Sequence, residues 1–165
     1  MPERSIRKIV SQKKLCPNHY QMVIDAPKMA EEAEMGQFVH LKWVAKDTNN
    51  DPLLRRPISF NEIDKDNGEI TIVYRTIGRG TKLLASLEAG DKVDLMGPLG
   101  TGFSIPKDKK KCVVVGGGMG IAPLLVLVEN LLAAQKEVVV LLGAETKEQL
   151  LNLDQYQNLD IEVKA

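Results

Sequence analysis

Cys112-Val113-Val114-Val115-Gly116-Gly117-Gly118-Met119-Gly120-Ile121-Ala122-Pro123-Leu124 is the stretch on which the architecture turns. A continuous apolar run, then a glycine loop, then a helical pattern is how a doubly wound α/β unit begins. The pattern predicts a buried strand at Cys112–Val115, a loop at Gly116–Gly120 and a helix over Ile121–Gln135. Leu124, Leu127, Val128 and Leu131 form the core stripe of that helix. Val138–Leu142 reads as a second continuous apolar strand, of the kind that helices cover on both faces. A helix near Lys147–Leu153 and a strand at Ile161–Val163 follow, giving β-α-β-α-β. Pro123 suits a first helical turn, where its missing N–H costs nothing. The free amides and positive end of that helix favour an anionic or carbonyl-bearing ligand. Gly116, Gly117, Gly118 and Gly120 are therefore candidates for binding a nucleotide-like group. The strict G-x-G-x-x-G pattern fails at Ile121, and no Gly-Lys-Ser/Thr marks a P-loop.

Upstream, Lys107-Asp108-Lys109-Lys110-Lys111 is a charged stretch that reads as a solvated linker. Before it the style differs, with short alternating segments separated by turn signals. Glu69–Arg75 puts Ile70, Ile72 and Tyr74 on one strand face and Glu69, Thr71 and Arg75 on the other. Gln37–Val44, Tyr20–Asp25 and Asp91–Met96 read as further strands, and Thr81–Leu87 as a short helix ended by Ala89-Gly90. The expected fold is thus an antiparallel β-barrel over residues 1–107, followed by an incomplete doubly wound parallel α/β domain over 108–165.

Composition narrows the function. The 165 residues carry 22 Lys+Arg against 22 Asp+Glu, a formal net charge of zero, which argues against nucleic-acid binding by bulk electrostatics. The two cysteines, Cys16 and Cys112, make no Cys-x-x-Cys and are too few for a four-thiolate iron–sulfur cluster. Low cysteine usage fits a reduced compartment. Arg4, Arg7, Lys8, Lys13 and Lys14 precede no apolar stretch of a signal peptide, and Ile121–Val128 is far short of a membrane span. A cytoplasmic protein without a membrane partner is expected. Most of the glycines fall between Gly78 and Gly120, astride the change of style, so a ligand cleft is expected where the two parts meet.

Leu54-Arg55-Arg56-Pro57-Ile58-Ser59-Phe60 supplies the charge for such a cleft. Arg56 precedes proline and is driven extended, so Arg55 and Arg56 point to opposite sides and only one can face a given ligand. Pro57 removes a ladder donor, as at a sheet edge or bulge beside a pocket. An arginine there can hold a pyrophosphate in a fork, although a pair of surface arginines in a loop is the plainer reading. His19 and His40, the two histidines, read as packed or surface residues and not as catalytic ones.

Four blocks, in this order, resemble the ferredoxin–NADP reductase superfamily. They are Leu53–Ser59, Ile72–Arg75 with Gly80-Thr81, Gly97-Pro98-Leu99-Gly100-Thr101-Gly102-Phe103, and Val115–Leu124. The Arg-Pro-Ile-Ser form of the first block is closest to the electron-transfer subunits of type B dihydroorotate dehydrogenase. The resemblance implies a flavin-binding barrel and a nicotinamide-nucleotide domain. It assigns Arg56 to the FAD pyrophosphate, and Pro57, Ile58 and Ser59 to the isoalloxazine, with the Ser59 hydroxyl near the reactive nitrogen. Val73, Tyr74 and Arg75 would flank the flavin and its ribityl chain, and the Gly80-Thr81 amides would hold phosphate. Two phosphate-facing elements imply FAD over FMN. Tyr74 also shares the apolar face of Ile70 and Ile72, so a purely structural role is an equal reading.

In that family, electrons from dihydroorotate pass from a separate FMN-bearing catalytic subunit through a [2Fe–2S] cluster to FAD and on to NAD, a step of pyrimidine biosynthesis. The full family member is a heterotetramer. The cofactors carry the chemistry, so no catalytic acid–base pair is expected. Family members continue for roughly another third, with a cysteine cluster and the loop that reads the adenosine ribose. This chain stops at Lys164-Ala165, so the cluster ligands are not expected within it, nor turnover from the chain alone. Glu145, after the second apolar strand, would disfavour a ribose 2′-phosphate and so favour NAD over NADP. Two alternatives stay open. One is a reductase subunit acting between NAD(P)H and ferredoxin or a hydrogenase, and the other is a non-redox docking module that keeps the barrel.

Overall fold

Alternation along β5 (Glu69–Arg75) turns Ile70, Ile72 and Tyr74 inward, and the three side chains are buried. The computed structural model describes residues 2–44 and 51–165. In it β5 joins β1 (Glu3–Cys16), β2 (His19–Asp25), β3 (Phe38–Trp43), β4 (Arg56–Asp64) and β6 (Lys92–Leu99). The six strands form a closed antiparallel barrel in the order β1-β2-β5-β4-β3-β6. Val39, Leu41, Phe60, Val93 and Leu95 meet Ile70 and Ile72 in the barrel core. Helix α1 (Pro27–Glu32) adds Met29 and Ala30, and α2 (Arg79–Ala85) adds Leu84.

The basic N-terminal stretch, unassigned from its sequence, is β1. It pairs with β6 over Glu3–Lys8 and with β2 over Ile9–Cys16. Irregularities at Ile9/Ser11 and Lys14/Cys16 break its alternation. Such bulges bend a strand and let it close the barrel.

The second unit is a parallel sheet, β7 (Lys111–Gly117), β8 (Glu137–Gly143) and β9 (Glu162–Lys164), in the order β7-β8-β9. Val114, Val138, Val140 and Leu142 pack beneath α3 (Leu124–Ala133), which contributes Leu125, Val128 and Leu131. Tyr156 of α4 (Leu153–Gln157) enters the same core.

Three expectations need correction. The helix expected over Ile121–Gln135 is shorter, because a 3-10 turn occupies Gly118–Ile121 and Pro123 stands at its N-cap. The helix expected near Lys147–Leu153 does not form. A 3-10 turn at Lys147–Gln149 is followed by Asn152 in the left-handed region, and α4 starts only at Leu153. Helices were expected on both faces of the sheet. The face carrying Val113 and Val115 is instead open, the two being 63% and 68% exposed.

The two units meet along β4, β5 and α3. Val73 points outward from β5 and is buried in the core of the second unit. Asn61, fully buried on β4, donates Nδ2–H to Ala122 O at 2.6 Å and exchanges hydrogen bonds with the Asn152 side-chain amide.

Candidate functional site

The ladder between β4 and β5 stops at the pair Phe60–Ile72. Beyond it the strands part. Arg56–Ser59 pair only with β3, where Pro57 stands opposite His40, while Val73, Tyr74 and Arg75 pair only with β2. Pro57 offers no N–H to a neighbour, so it costs little at such a divergence. The parted strands form two walls of a cleft of about 660 Å³. Ile77 and Thr81 form its end, and Met119, Gly120, Ala122 and Pro123 of the β7–α3 turn its far wall. That is a normal size for a small-molecule site, at the junction of two units where such sites concentrate.

The two arginines divide as alternation requires. Arg55 turns away from the cleft, its Nη2 donating to Asp94 Oδ2 at 2.7 Å and its Nη1 to the Asp94 carbonyl at 3.0 Å. Arg56 lines the cleft. Its Nη1 donates to Leu54 O at 2.7 Å and to Arg55 O at 3.3 Å. Its Nε–Nη2 edge has no protein acceptor among the described residues and lies against Gly80. A Cβ on Gly80 would stand 2.7 Å from both nitrogens, so a side chain there would displace the fork.

Thr81 is inside the first turn of α2. Its Oγ1 accepts the N–H groups of Ile77 at 3.0 Å and Gly78 at 3.2 Å and donates to Gly78 O. The hydroxyl is thereby saturated, which leaves the backbone amides of the turn as its means of holding a ligand. The Ser59 hydroxyl, in contrast, has no protein partner among the described residues.

Tyr74 belongs to both the core and the cleft. It stacks on Tyr20 with ring centroids 5.9 Å apart and donates its hydroxyl to Gln12 Oε1 at 2.9 Å. Gln12 in turn donates to the carbonyls of Leu84 and Leu87, so this chain ties α2 to the barrel. Burial pushes the Tyr74 phenol well above its ordinary value, and it stays a neutral donor throughout the working pH range. Arg75 is exposed at the rim.

The glycine loop separates into different tasks. Gly116 lets α3 approach the sheet, since a Cβ there would meet Leu124 Cδ1 at 2.6 Å. Gly118 turns the chain with φ +52°. Only Gly120 of the four lines the cleft. Gly117 and Gly118 lie at and just beyond the carboxyl end of β7, where α/β sheets usually bind ligands. Glu145 lines a separate hollow of about 640 Å³ beyond the ends of β8 and β9. The Gly97–Phe103 block is away from the cleft, with Gly100 against the Phe38 ring and the Phe103 amide donating to Met35 O.

His40 leans on the Phe38 ring, and buried His19 bonds through Nδ1 to Pro17 O at 2.8 Å. Both cysteines are free. Among the described residues no cluster of His, Cys, Asp and Glu is disposed to hold a metal ion, and no helix is long and apolar enough to cross a membrane. Asn61, which sets one unit against the other, carried no signal in the sequence. Asn61 stands where the β4–β5 register shifts between Phe60 and Glu62, and it is the packing of the second unit that buries it.

A parted barrel ladder facing the first turn of a parallel α/β sheet is the architecture of ferredoxin–NADP-reductase-like flavoproteins. The chain belongs to the oxidoreductase FAD-binding domain family, whose model matches residues 7–103. It is 40% identical over 156 residues to the dihydroorotate dehydrogenase B (NAD(+)) electron transfer subunit of Desulforamulus reducens, and 39% identical over 153 residues to that of Bacillus mycoides. These alignments take in 94% and 92% of this chain and 58% of each relative, so the chain spans little more than half their length. Among solved structures it superposes on an NADH-dependent reduced ferredoxin-NADP oxidoreductase with a TM-score of 0.82 at 27% identity, over 96% of this chain and 55% of that one. A ferredoxin NADP+ reductase from Neisseria gonorrhoeae with bound FAD and NADP shares the fold, with a TM-score of 0.79 at 22% identity over 98% of this chain and 67% of that one.

Proposed function

We propose that the chain holds FAD in the parted-strand cleft and serves in an electron-transfer subunit of the dihydroorotate dehydrogenase B type. In this reading it passes electrons from an FMN-bearing catalytic subunit toward NAD. The observation that carries the reading is the free Nε–Nη2 edge of Arg56 lying in the cleft against a glycine. A guanidinium edge is a fork for phosphate oxygens. The relatives point the same way.

The residues present fit the group. Arg56 and the backbone amides of Gly80 and Thr81 would bind the diphosphate. Pro57, Ile58 and Val73 would exclude water from the ring system, and Ser59 would offer its hydroxyl to a ring nitrogen. Tyr74, held by Gln12, would fix one wall. FAD, when bound, supplies the redox chemistry. Gly116, Gly117, Gly118 and Gly120 would form the backbone surface on which the nicotinamide nucleotide rests, with Glu145 favouring NAD over NADP. The two cysteines cannot supply the four ligands of a [2Fe–2S] centre, so that link in the relay would have to come from outside these residues.

Arg56→Ala should weaken FAD binding by about 1.5–3 kcal/mol, the worth of hydrogen bonds to a charged group, or roughly 10- to 150-fold. Flavin fluorescence titration measures this. Equal affinity of the parent chain for FAD and FMN, or an unchanged Kd in the variant, would refute the assignment. A second reading, a reductase subunit working with ferredoxin, is favoured by the 27% identical oxidoreductase structure. Which partner reduces the bound flavin, the FMN-bearing subunit or reduced ferredoxin, separates the two.

A further inference from the structure

Asp94 stands out because it is a carboxylate outside the cleft that is nearly fully buried on a barrel wall. Its neighbours Val93 and Leu95 point into the core, so Asp94 points outward, and only its cover of side chains keeps it from water. Two guanidinium groups make that cover. Arg4 reaches it from β1 with Nη2 2.9 Å from Oδ2, and Arg55 from the approach to β4 at 2.7 Å. Arg55 also takes the Asp94 carbonyl, so two parallel bonds hold it to one residue.

The reach of Arg55 matters more than the ion pair itself. In the barrel order β3 separates β4 from β6, and Asp94 stands opposite Lys42 while Arg56 stands opposite Leu41. Arg55 therefore spans β3 and fastens the start of β4 to a strand two places away. Consecutive extended residues face opposite ways, so fixing Arg55 outside fixes Arg56 inside. The carbonyl of Arg55 also accepts from Arg56 Nη1, which ties the guanidinium in the cleft to the backbone that the outer clamp holds.

We propose that Asp94 is a positioning residue for Arg56: by clamping Arg55 on the outer wall, it sets the direction of the fork inside the cleft and so the affinity for the diphosphate of a flavin dinucleotide. This rests on the assignment of Arg56 to the diphosphate. Asp94 never touches the ligand. It acts on the phosphate-bearing end of the site and leaves the ring-binding walls alone.

A double-mutant cycle on the 165-residue chain tests it, with Kd measured for FAD and for riboflavin, which has no phosphate. Asp94→Asn should lower FAD affinity about tenfold, the loss of one charge-assisted contact, and leave riboflavin affinity unchanged. In the Arg56→Ala background the same change should have no further effect on FAD. Arg55→Lys, which keeps the charge but loses the two-point clamp, should reproduce part of the loss in a chain that melts like the parent. Three results overturn the inference: an unchanged FAD Kd in Asp94→Asn, an equal loss for riboflavin, or an undiminished loss on top of Arg56→Ala. If Arg56→Ala alone leaves FAD binding intact, the diphosphate assignment itself fails, and the inference with it.

Discussion

The barrel and the parallel sheet solve the same problem to different degrees. Each barrel strand has neighbours on both sides, because the sheet closes on itself, and the β4–β5 ladder opens only where those strands part at the cleft. Its inner face is sealed, with Ile70, Ile72, Val39 and Leu41 wholly buried. The parallel sheet has two outer strands, β7 and β9, each paired on one side only among the described residues. It is covered on one face, where Val114 is buried, while Val113 and Val115 on either side of it are open to solvent. The contrast teaches where the cleft gets its rigidity. The walls that carry Arg56, Ser59 and Tyr74 belong to the closed element, and the wall that carries Gly120 belongs to the open one.

The largest effect expected from breaking this contrast is in the barrel. Ile72→Ala removes a side chain packed on all sides and should cost about 2–5 kcal/mol in a urea unfolding curve. Flavin binding should weaken with it, because Ile72 ends the ladder from which the cleft opens. The joint between the units comes next. Asn61→Ala leaves the Ala122 carbonyl without its buried donor and should cost about 1–3 kcal/mol. Hydrogen exchange should rise in the β7–α3 turn while the barrel core stays protected, and a uniform rise across both units would show that they open as one.

A smaller effect follows from acid. Burial raises the Asp94 carboxyl, but the hydrogen bonds and charges of Arg55 and Arg4 outweigh it, and the net shift is below the ordinary value of 3.8. A carboxylate shifted down contributes stability above its unfolded pKa and loses it as pH falls through the folded value. Unfolding free energy should therefore decline as the pH falls below about 5, and Asp94→Asn should flatten that acid limb of the profile. A profile as steep in the variant as in the parent would place the acid sensitivity elsewhere. The smallest effect is on the open face: Val115→Ser should change stability by no more than about 0.5 kcal/mol, as at other surface positions. A loss comparable to that of Ile72→Ala would mean that this face is covered in solution.

Much of this was legible in the residues, and the particulars show why. Glu69–Arg75 was read with its observed bounds because β5 alternates without a bulge. The opposition of Arg55 and Arg56 followed from the geometry of consecutive extended residues, and Pro57 stands at the divergence that its missing N–H suggested. β1 was not legible, since two bulges interrupt its period and charged side chains fill its outer face. The Lys147–Leu153 segment carries no local sign that Asn152 turns the chain left-handed and donates to the Asn61 side chain, which is what keeps a helix from running through it.

The sequence by itself determined the order of the parts, a barrel followed by a parallel α/β sheet, and the opposite facing of Arg55 and Arg56. Those depend on local periodicity and turn chemistry, which neighbouring residues specify among themselves. Tertiary structure alone decided that Val73 faces a second core, that Asn61 joins the two units and that a carboxylate on β6 holds an arginine beside β4. Each of these joins residues far apart in the chain whose partners are chosen by barrel closure and by the docking of one unit on the other, and no local pattern encodes that geometry.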